Sequence, residues 1–336
     1  METLLKARTV LFDEVGGPDV LRLTELDIGE PGAGQVRVRI DAIGLNRGEA
    51  LLRAGSYYYD AVLPDSRLGN EAAGVIEAAG PGVIGFEIGD TVSIVAKPTD
   101  EGMSAHGVYA DRVLVGAHRL LHRPAHIDAI TGAAVWTSAF TAYGALVEVG
   151  RVRAGDTVVV TAASSSVGMA ALQIARHLGA TPIAVTRTGE KADRLRSAGA
   201  EHVIASADGD VAERIRALTD GKGARIIFDG IAGPGLPDLA RAVAPDGIFL
   251  VYGSLDTRTT PLPMWWPINI YGYAVFHVYA DSERACRAET FIANGLRNGA
   301  LTPVIDRTFD LTEIVEAHRY LESNQQAGKI VVTVQH

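Results

Sequence analysis

The chain has 336 residues, 47% of them hydrophobic and 21% charged, and its 31 basic against 40 acidic side chains give a formal net charge of −9. That length exceeds the usual size of a single core and predicts two domains, while the acidic balance argues against a nucleic-acid partner, since phosphate binding draws on Lys and Arg. A single cysteine, Cys286, excludes an intrachain disulfide and any multi-cysteine metal site. No apolar run reaches the roughly 18–20 residues that cross a bilayer, and METLLKARTV lacks the basic-then-apolar layout of a leader, so a cytoplasmic protein without membrane association is expected.

In chain order, residues 1–130 read as β-rich. QVRVRIDAIGLN alternates Val36, Val38 and Ile40 with Arg37 and Arg39, the period of a half-buried strand. EAAGVIEAAGPGV is a second strand closed by Gly80–Pro81–Gly82, a strong turn signal. DTVSIVA and GVYADRVLV continue the β character. From Thr131 the pattern becomes strand–helix alternation, with strands at Val158–Thr161, Pro182–Thr186, His202–Ala205, Ile226–Phe228 and Ile248–Tyr252. Such alternation predicts a parallel sheet covered on both faces. A helix over Ser282–Asn298 and a strand over Lys329–Val334 fall outside that rhythm, so residues 280–336 are expected to return to the first domain, with the second domain spanning 131–279.

The stretch VVVTAASSSVGMAALQIARHLGA joins a β-branched run to a helix-patterned segment through small residues. A G-x-G-x-x-G phosphate fingerprint would place glycine at 163, 165 and 168, where the chain has Ala163, Ser165 and Gly168. The unpaired amides at a helix start form an anion site with or without glycines. The position reserved for close helix–strand packing is retained in Gly168. Ser165 would crowd the approach of a pyrophosphate, yet its hydroxyl, like those of Ser164 and Ser166, could donate to a phosphate oxygen, and the amide of Val167 belongs to the same turn. A cofactor cradle and a plain strand-to-helix connection are both consistent with the turn alone. About 20 residues further on, where NAD-binding chains of this class carry an acid, stand Arg187 and then Lys191. Two cations there suit the 2′-phosphate of NADP(H), and Arg187 could grip it with two parallel bonds.

Across essentially the whole chain, GGPDVLRL, GEPGAGQVRVRIDAIGLNRGEALLRAG, EAAGVIEAAGPGVIGFEIGDTV, HGVYADRVLV, WTSAFTAYGAL, RAGDTVVVTAASSSVG and HRYLESNQQAGKIVV occur in that order. In these segments the sequence resembles the medium-chain dehydrogenase/reductase superfamily, in its zinc-free quinone oxidoreductase and enoyl reductase branch. The resemblance implies an α/β protein: a GroES-like β-rich catalytic domain, a Rossmann-type doubly wound parallel-sheet domain interrupting it, and a cofactor cleft between the two. It also implies a homodimer joined through the edges of the Rossmann sheets. In zinc-dependent relatives the metal ligands are a Cys, a His and a second Cys; the first two positions here are Asn46 and Asn70, and no cysteine is left for the third. The trio His118, His122 and His126 has helical spacing, but Pro124 breaks a helix there. No metal is expected.

Without a Lewis acid, hydride chemistry on simple alcohols lacks a group to offset alkoxide charge. Conjugated acceptors are easier, because the charge spreads into an enolate or phenolate, and the cofactor performs the difficult step. The resemblance assigns Asn46 to orientation of the nicotinamide or substrate, Thr141 to the nicotinamide ribose region, and Tyr252, Gly253 and Ser254 to a loop bordering the nicotinamide. Gly328 and Lys329 match a closing segment that returns to the cofactor. Alternatives remain for each: a structural turn for Asn46, a buried helix hydroxyl for Thr141, core packing for Tyr252 and a surface charge for Lys329. One of the adjacent Tyr57, Tyr58 and Tyr59 is expected to face the pocket as a donor to the substrate oxygen or as a stacking surface. Ser206 replaces a tyrosine that lies near the adenosine in some relatives, and Trp265, Trp266 and Phe276 fit a dimer interface better than a substrate pocket. The reading is an NADPH-dependent, metal-independent reductase of quinones or α,β-unsaturated carbonyl compounds. The alternatives are a metal-free carbonyl reductase or alcohol dehydrogenase, and a crystallin-like NADPH-binding protein without turnover.

Overall fold

The alternating segment becomes strand Gln35–Gly44, in which Val36, Val38 and Ile40 are fully buried and the intervening arginines are not. Among the described residues it is central to a seven-stranded sheet. The computed structural model describes residues 5–96, 107–264 and 267–336, and the chain divides into two compact units, Met1–Thr137 with Ile305–His336, and Ser138–Val304.

In the first unit the sheet runs, among the described residues, in the order Ile305–Asp310, Lys329–Thr333, Gln35–Gly44, Glu71–Ala79, Thr91–Ile94 and Leu120–His122, with Arg112–Gly116 also paired to Gln35–Gly44. A smaller sheet is formed by Arg22–Ile28, Leu5–Phe12 and Ser66–Arg67. The last strand of the protein pairs antiparallel with Gln35–Gly44, setting Val331 opposite Gly44. That register delivers Lys329 to the place where Gln35–Gly44 ends and helix Arg47–Arg53 begins. Gly44 is required at this crossing, because a Cβ there would lie 2.0 Å from the carbonyl oxygen of Ala133 and 2.9 Å from Cε of Lys329.

Among the described residues the second unit carries a six-stranded parallel sheet in the order His202–Ala205, Thr181–Thr186, Thr157–Val160, Ala224–Asp229, Val243–Val251 and Asn269–Gly272. Val158, Val159 and Val160 are fully buried, as a central strand covered on both faces requires. Helix Ser166–His177 buries Ala171, Leu172, Ile174 and Ala175 and is capped at Leu178, after which Gly179 turns the chain with a φ of +78°, a left-handed conformation that glycine adopts without strain.

The sequence-based boundaries at 130/131 and 279/280 differ from those of the compact units at 137/138 and 304/305. The downstream boundary moves because helix Ser282–Asn298 stays with the second unit, where Arg287 forms a two-pronged bond to Glu148 and Phe291 packs on Tyr143 at 5.0 Å. Of the aromatic trio near the end of this unit, Phe276 opens a short helix, Phe276–Tyr279, and Trp265 and Trp266 lie outside the described residues.

Candidate functional site

The chemistry-bearing residues fall into two groups, one in each unit.

In the second unit, strand Thr157–Val160 leads into a turn in which Ala162 takes a φ of +44° and Ser165 becomes the N-cap of helix Ser166–His177. Ser165 Oγ accepts the amide of Gly168 at 3.0 Å, and the Ser165 hydroxyl is near enough to the Tyr252 phenol to pull its pKa down. The helix geometry leaves the amides of Ser166 and Val167 without intrahelical partners at the positive end of the dipole. Gly168 permits the close approach that shapes this turn: a Cβ would sit 2.7 Å from both Cα and O of Ala163 and 2.8 Å from O of Ala162. Ser165 therefore serves as a cap as well as a turn residue, a role that the Ser-x-x-Gly spacing could have revealed.

The basic pair follows strand Thr181–Thr186. Lys191 reaches back to the turn, its ammonium 3.5 Å from Ser164 Oγ as donor. Arg187 is exposed directly after the strand. The ring of Tyr252 stacks on Phe228 at 4.0 Å, and burial raises its pKa well above the usual phenol range, against the pull of Ser165. Gly253 lies against Gly230, where a Cβ would meet the Gly230 carbonyl oxygen at 2.9 Å, and Ser254 is exposed. Thr141 is buried inside helix Trp136–Tyr143. Asp229, at the end of the neighbouring strand, accepts the Thr161 hydroxyl at 2.5 Å and the Ala232 amide at 2.8 Å; burial raises its pKa against these bonds.

In the first unit, Asn46 caps helix Arg47–Arg53. Its Oδ1 accepts from Lys329 Nζ at 2.7 Å, and its Nδ2 donates to Gly44 O and to Glu49 Oε1, both at 3.2 Å. Glu49 reaches back to accept the Asn46 amide at 2.7 Å, and it also accepts the Asn70 amide at 2.9 Å and the Tyr109 hydroxyl at 2.6 Å. Burial pushes the Glu49 carboxyl above its ordinary pKa, while these bonds and the Lys329 charge pull it back. Lys329 also donates to Glu71 Oε1, and Glu71 Oε2 accepts the Thr137 amide at 2.9 Å. Lys329 is 1% exposed and Glu71 is 0% exposed, so the lysine is a buried ion-pair partner and not a surface charge.

Three of these residues, Glu49, Glu71 and Tyr109, go unassigned in the sequence reading. The first was legible as the N-x-x-E capping signature from Asn46 to Glu49. Glu71 and Lys329 each stand as a lone charge at the start of an apolar strand segment, EAAGV and KIVVTV, a pattern that signals a paired buried charge.

The tyrosines alternate. Tyr57 and Tyr59 pack against the core of the first unit with ring centroids 5.1 Å apart, and Tyr58 is 69% exposed. Burial raises the pKa of Tyr57 strongly and pushes that of Tyr59 up to about 12, aided by the negative charge of Glu49. Both phenols therefore remain protonated and able to donate at neutral pH.

The histidine trio is dispersed: His118 lies in a single 3-10 turn, Ala117–Arg119, while His122 stacks on Phe86 at 4.5 Å and pairs with the Gly85 carbonyl at 2.8 Å. Around Asn46, the donors a divalent metal would need, Asn46 Oδ1 and Glu71 Oε1, are both engaged by the Lys329 ammonium. A second cation beside that ammonium would be repelled, so these residues do not fit a metal ion.

Comparison with known proteins agrees with this division. The alcohol dehydrogenase GroES-like domain profile matches residues 32–125, and the zinc-binding dehydrogenase profile matches residues 166–283. A 2-haloacrylate reductase from a Burkholderia species is 31% identical over 329 residues, covering 95% of this chain and 97% of its own length. A quinone oxidoreductase from Pseudomonas aeruginosa is 31% identical over 331 residues, covering 97% and 99%. A mycobacterial protein solved in complex with NADPH is 26% identical, covers 97% of this chain and 99% of its own, and superposes with a TM-score of 0.85.

Proposed function

The chain belongs to the medium-chain dehydrogenase/reductase family, in the branch that holds quinone oxidoreductases and 2-haloacrylate reductase, and from that premise we propose that it is an NADPH-dependent, metal-independent reductase of quinones or α,β-unsaturated carbonyl compounds. The observation that carries the proposal is the turn of the second unit, where the Ser165 cap, the open amides of Ser166 and Val167 and the Lys191 ammonium over Ser164 share one small region. Those groups fit a dinucleotide phosphate: amides at a helix start bind an anion, and Gly168 lets the helix start pack closely on the turn at Ala162 and Ala163. The mycobacterial relative in complex with NADPH supports the same cofactor.

The bound dinucleotide supplies the hydride. Ser164, Ser165, Ser166, Val167 and Gly168 hold its phosphates, Arg187 and Lys191 meet the 2′-phosphate, and Thr141, Tyr252, Gly253 and Ser254 border the nicotinamide. The first unit contributes Asn46 and the phenols of Tyr57 and Tyr59, one of which donates to the acceptor oxygen as negative charge collects there. Lys329 acts through Asn46 and Glu71, its ammonium being enclosed by them. A cytoplasmic homodimer is part of the same proposal. The 2-haloacrylate reductase relative favours reduction of a conjugated carbon–carbon double bond.

The test is anaerobic NADPH consumption with a quinone, an open-chain enone and a saturated ketone, with product identification. Oxidation of NADPH by the quinone or the enone, with the ketone untouched, is the expected result. Reduction of the ketone would move the protein to the carbonyl reductases, and NADPH binding without consumption by any acceptor would make it a binding protein.

A further inference from the structure

A cavity of about 390 Å³ opens at the edge of the parallel sheet in the second unit, with Arg151, Arg225, Asp246, Ile248, Ile268 and Ile270 among its lining residues. That volume lies in the range of small-ligand pockets. The cavity is remote from the nucleotide turn. Arg225 is the second residue of strand Ala224–Asp229, and Asp229, whose carboxylate accepts the Thr161 hydroxyl beside that turn, is the last. The step between them spans roughly 13 Å of extended chain.

The walls are fixed by backbone bonds. The amides of Gly150 and Val152, on either side of Arg151, bond back to the carbonyls of Ala145 and Leu146 at 2.8 and 2.9 Å. Asn269 Nδ2 donates to Gly247 O at 3.2 Å, tying the edge strand Asn269–Gly272 to the turn that carries Asp246. Arg151 takes a φ of +52° and Asp246 a φ of +60°, the left-handed region in which a side chain crowds the following carbonyl. Aspartate is enriched there and arginine is not, and among the described residues Arg151 is the only lysine or arginine with a positive φ. No contact within the unit offsets that strain. Among the described residues neither Arg151 nor Arg225 has a hydrogen bond or an ion pair, although Asp246 lines the same cavity and Arg225 is half-buried. A guanidinium withdrawn from water ordinarily has a partner.

Two cations against one carboxylate leave an excess of one positive charge beside three isoleucines. A second copy of the chain does not supply the missing acid. A two-fold contact sets the same patch on both sides, and the edge strand with the residue before it, 268–272, carries no acid. We propose that this cavity is a ligand site separate from the nucleotide turn and that it takes a small organic acid. The carboxylate lies between Arg151 and Arg225, and the apolar body rests on Ile248, Ile268 and Ile270. A planar carboxylate suits a guanidinium fork, and its single charge matches the excess. Nothing in this site depends on the dinucleotide.

The test is a titration of the full chain with benzoate, read from the methyl signals of isoleucine-labelled protein and assigned with Ile248→Val, Ile268→Val and Ile270→Val. Saturable shifts of these three signals are expected, and none from benzamide, the neutral isostere, at the same concentration. Arg151→Gly and Arg225→Gln are each expected to weaken benzoate binding roughly 10- to 100-fold, the worth of a charge-assisted bond. Glycine relieves the left-handed backbone, so Arg151→Gly melts no lower than wild type, which separates loss of the guanidinium from loss of the fold. Equal shifts with benzamide, unchanged benzoate binding in both variants, or displacement of benzoate by NADPH would each overturn the proposal. So would the absence of any benzoate shift, and if Arg151→Gly then weakened self-association in sedimentation, the arginines would belong to a contact between copies.

Discussion

Lys329→Met removes the ammonium while keeping the length of the side chain. Glu71, fully buried, is then left with the Thr137 amide as its recorded hydrogen-bond donor. Breaking one partner from a buried ion pair costs about 3–5 kcal/mol, most of it the penalty of the stranded charge. At about 2–4 °C per kcal/mol for a unit of 150–250 residues, the melting temperature falls by roughly 6–20 °C. Lys329→Met/Glu71→Gln removes both charges and keeps an acceptor for the Thr137 amide, so it recovers most of the loss. Thermal melts of the three proteins are the assay. A single variant within about 0.5 kcal/mol of wild type, or a double variant no better than the single, would refute the assignment of Lys329 and Glu71 as a mutually dependent buried pair.

Three other outcomes follow from the same geometry. Arg187→Glu and Lys191→Ala each weaken NADPH binding by about 1.5–3 kcal/mol, roughly 10- to 100-fold, with a much smaller effect on NADH; isothermal titration with both dinucleotides checks this, and a retained preference for NADPH counts against the 2′-phosphate role. Gly168→Ala forces three backbone contacts below 3.0 Å and is expected to cost about 1–3 kcal/mol and to weaken NADPH binding, whereas Gly29→Ala, with nothing within 4 Å of the new Cβ, stays within about 0.5 kcal/mol of wild type in urea titrations. His318 is held neutral, its pKa lowered to about 3 by burial and then by Arg53 and Arg47. The unfolded chain then binds the extra proton below about pH 6.5, so this histidine removes up to about 1.4 kcal/mol of stability per pH unit on acidification toward pH 4; His318→Gln should flatten that part of the stability–pH curve.

What could be read from the sequence was whatever local periodicity encodes. Gln35–Gly44 declares itself through Val36, Val38 and Ile40 because one face of that strand is buried and the other is lined by arginines. Helix Ser282–Asn298 is legible because Asp281 caps it and Gly299 closes it in the left-handed conformation. The turn at 162–168 was legible as an anion site, but its capping was not assigned, since that depends on which of three adjacent serines reaches the Gly168 amide. Lys329 was the hardest residue. A lysine opening an apolar run could equally end in water, and its partners Asn46 and Glu71 are far away in the chain. Only the antiparallel pairing of Lys329–Thr333 with Gln35–Gly44 brings them together.

The same limit explains how Asn46 is held at all. It caps a helix of seven residues, Arg47–Arg53, which is too short to persist through its own backbone bonds. At the N-terminal end Glu49 closes on the Asn46 amide and is anchored by Asn70 and Tyr109. At the C-terminal end Arg53, fully buried, donates to Gly16 O at 3.1 Å, to His318 Nδ1 at 2.8 Å and to Glu322 at 2.5 Å. Both anchors are charged, and their partners come from the N-terminal loop, the middle of the unit and helix Ile314–Glu322. Directional bonds to three separate segments fix the rotation of the helix about its axis, which apolar packing leaves looser because it has no preferred direction. Rotation is what decides where Oδ1 of Asn46 points, so the buried charges of this unit serve the geometry of one amide, and the hydrophobic pattern that specifies the fold carries no record of them.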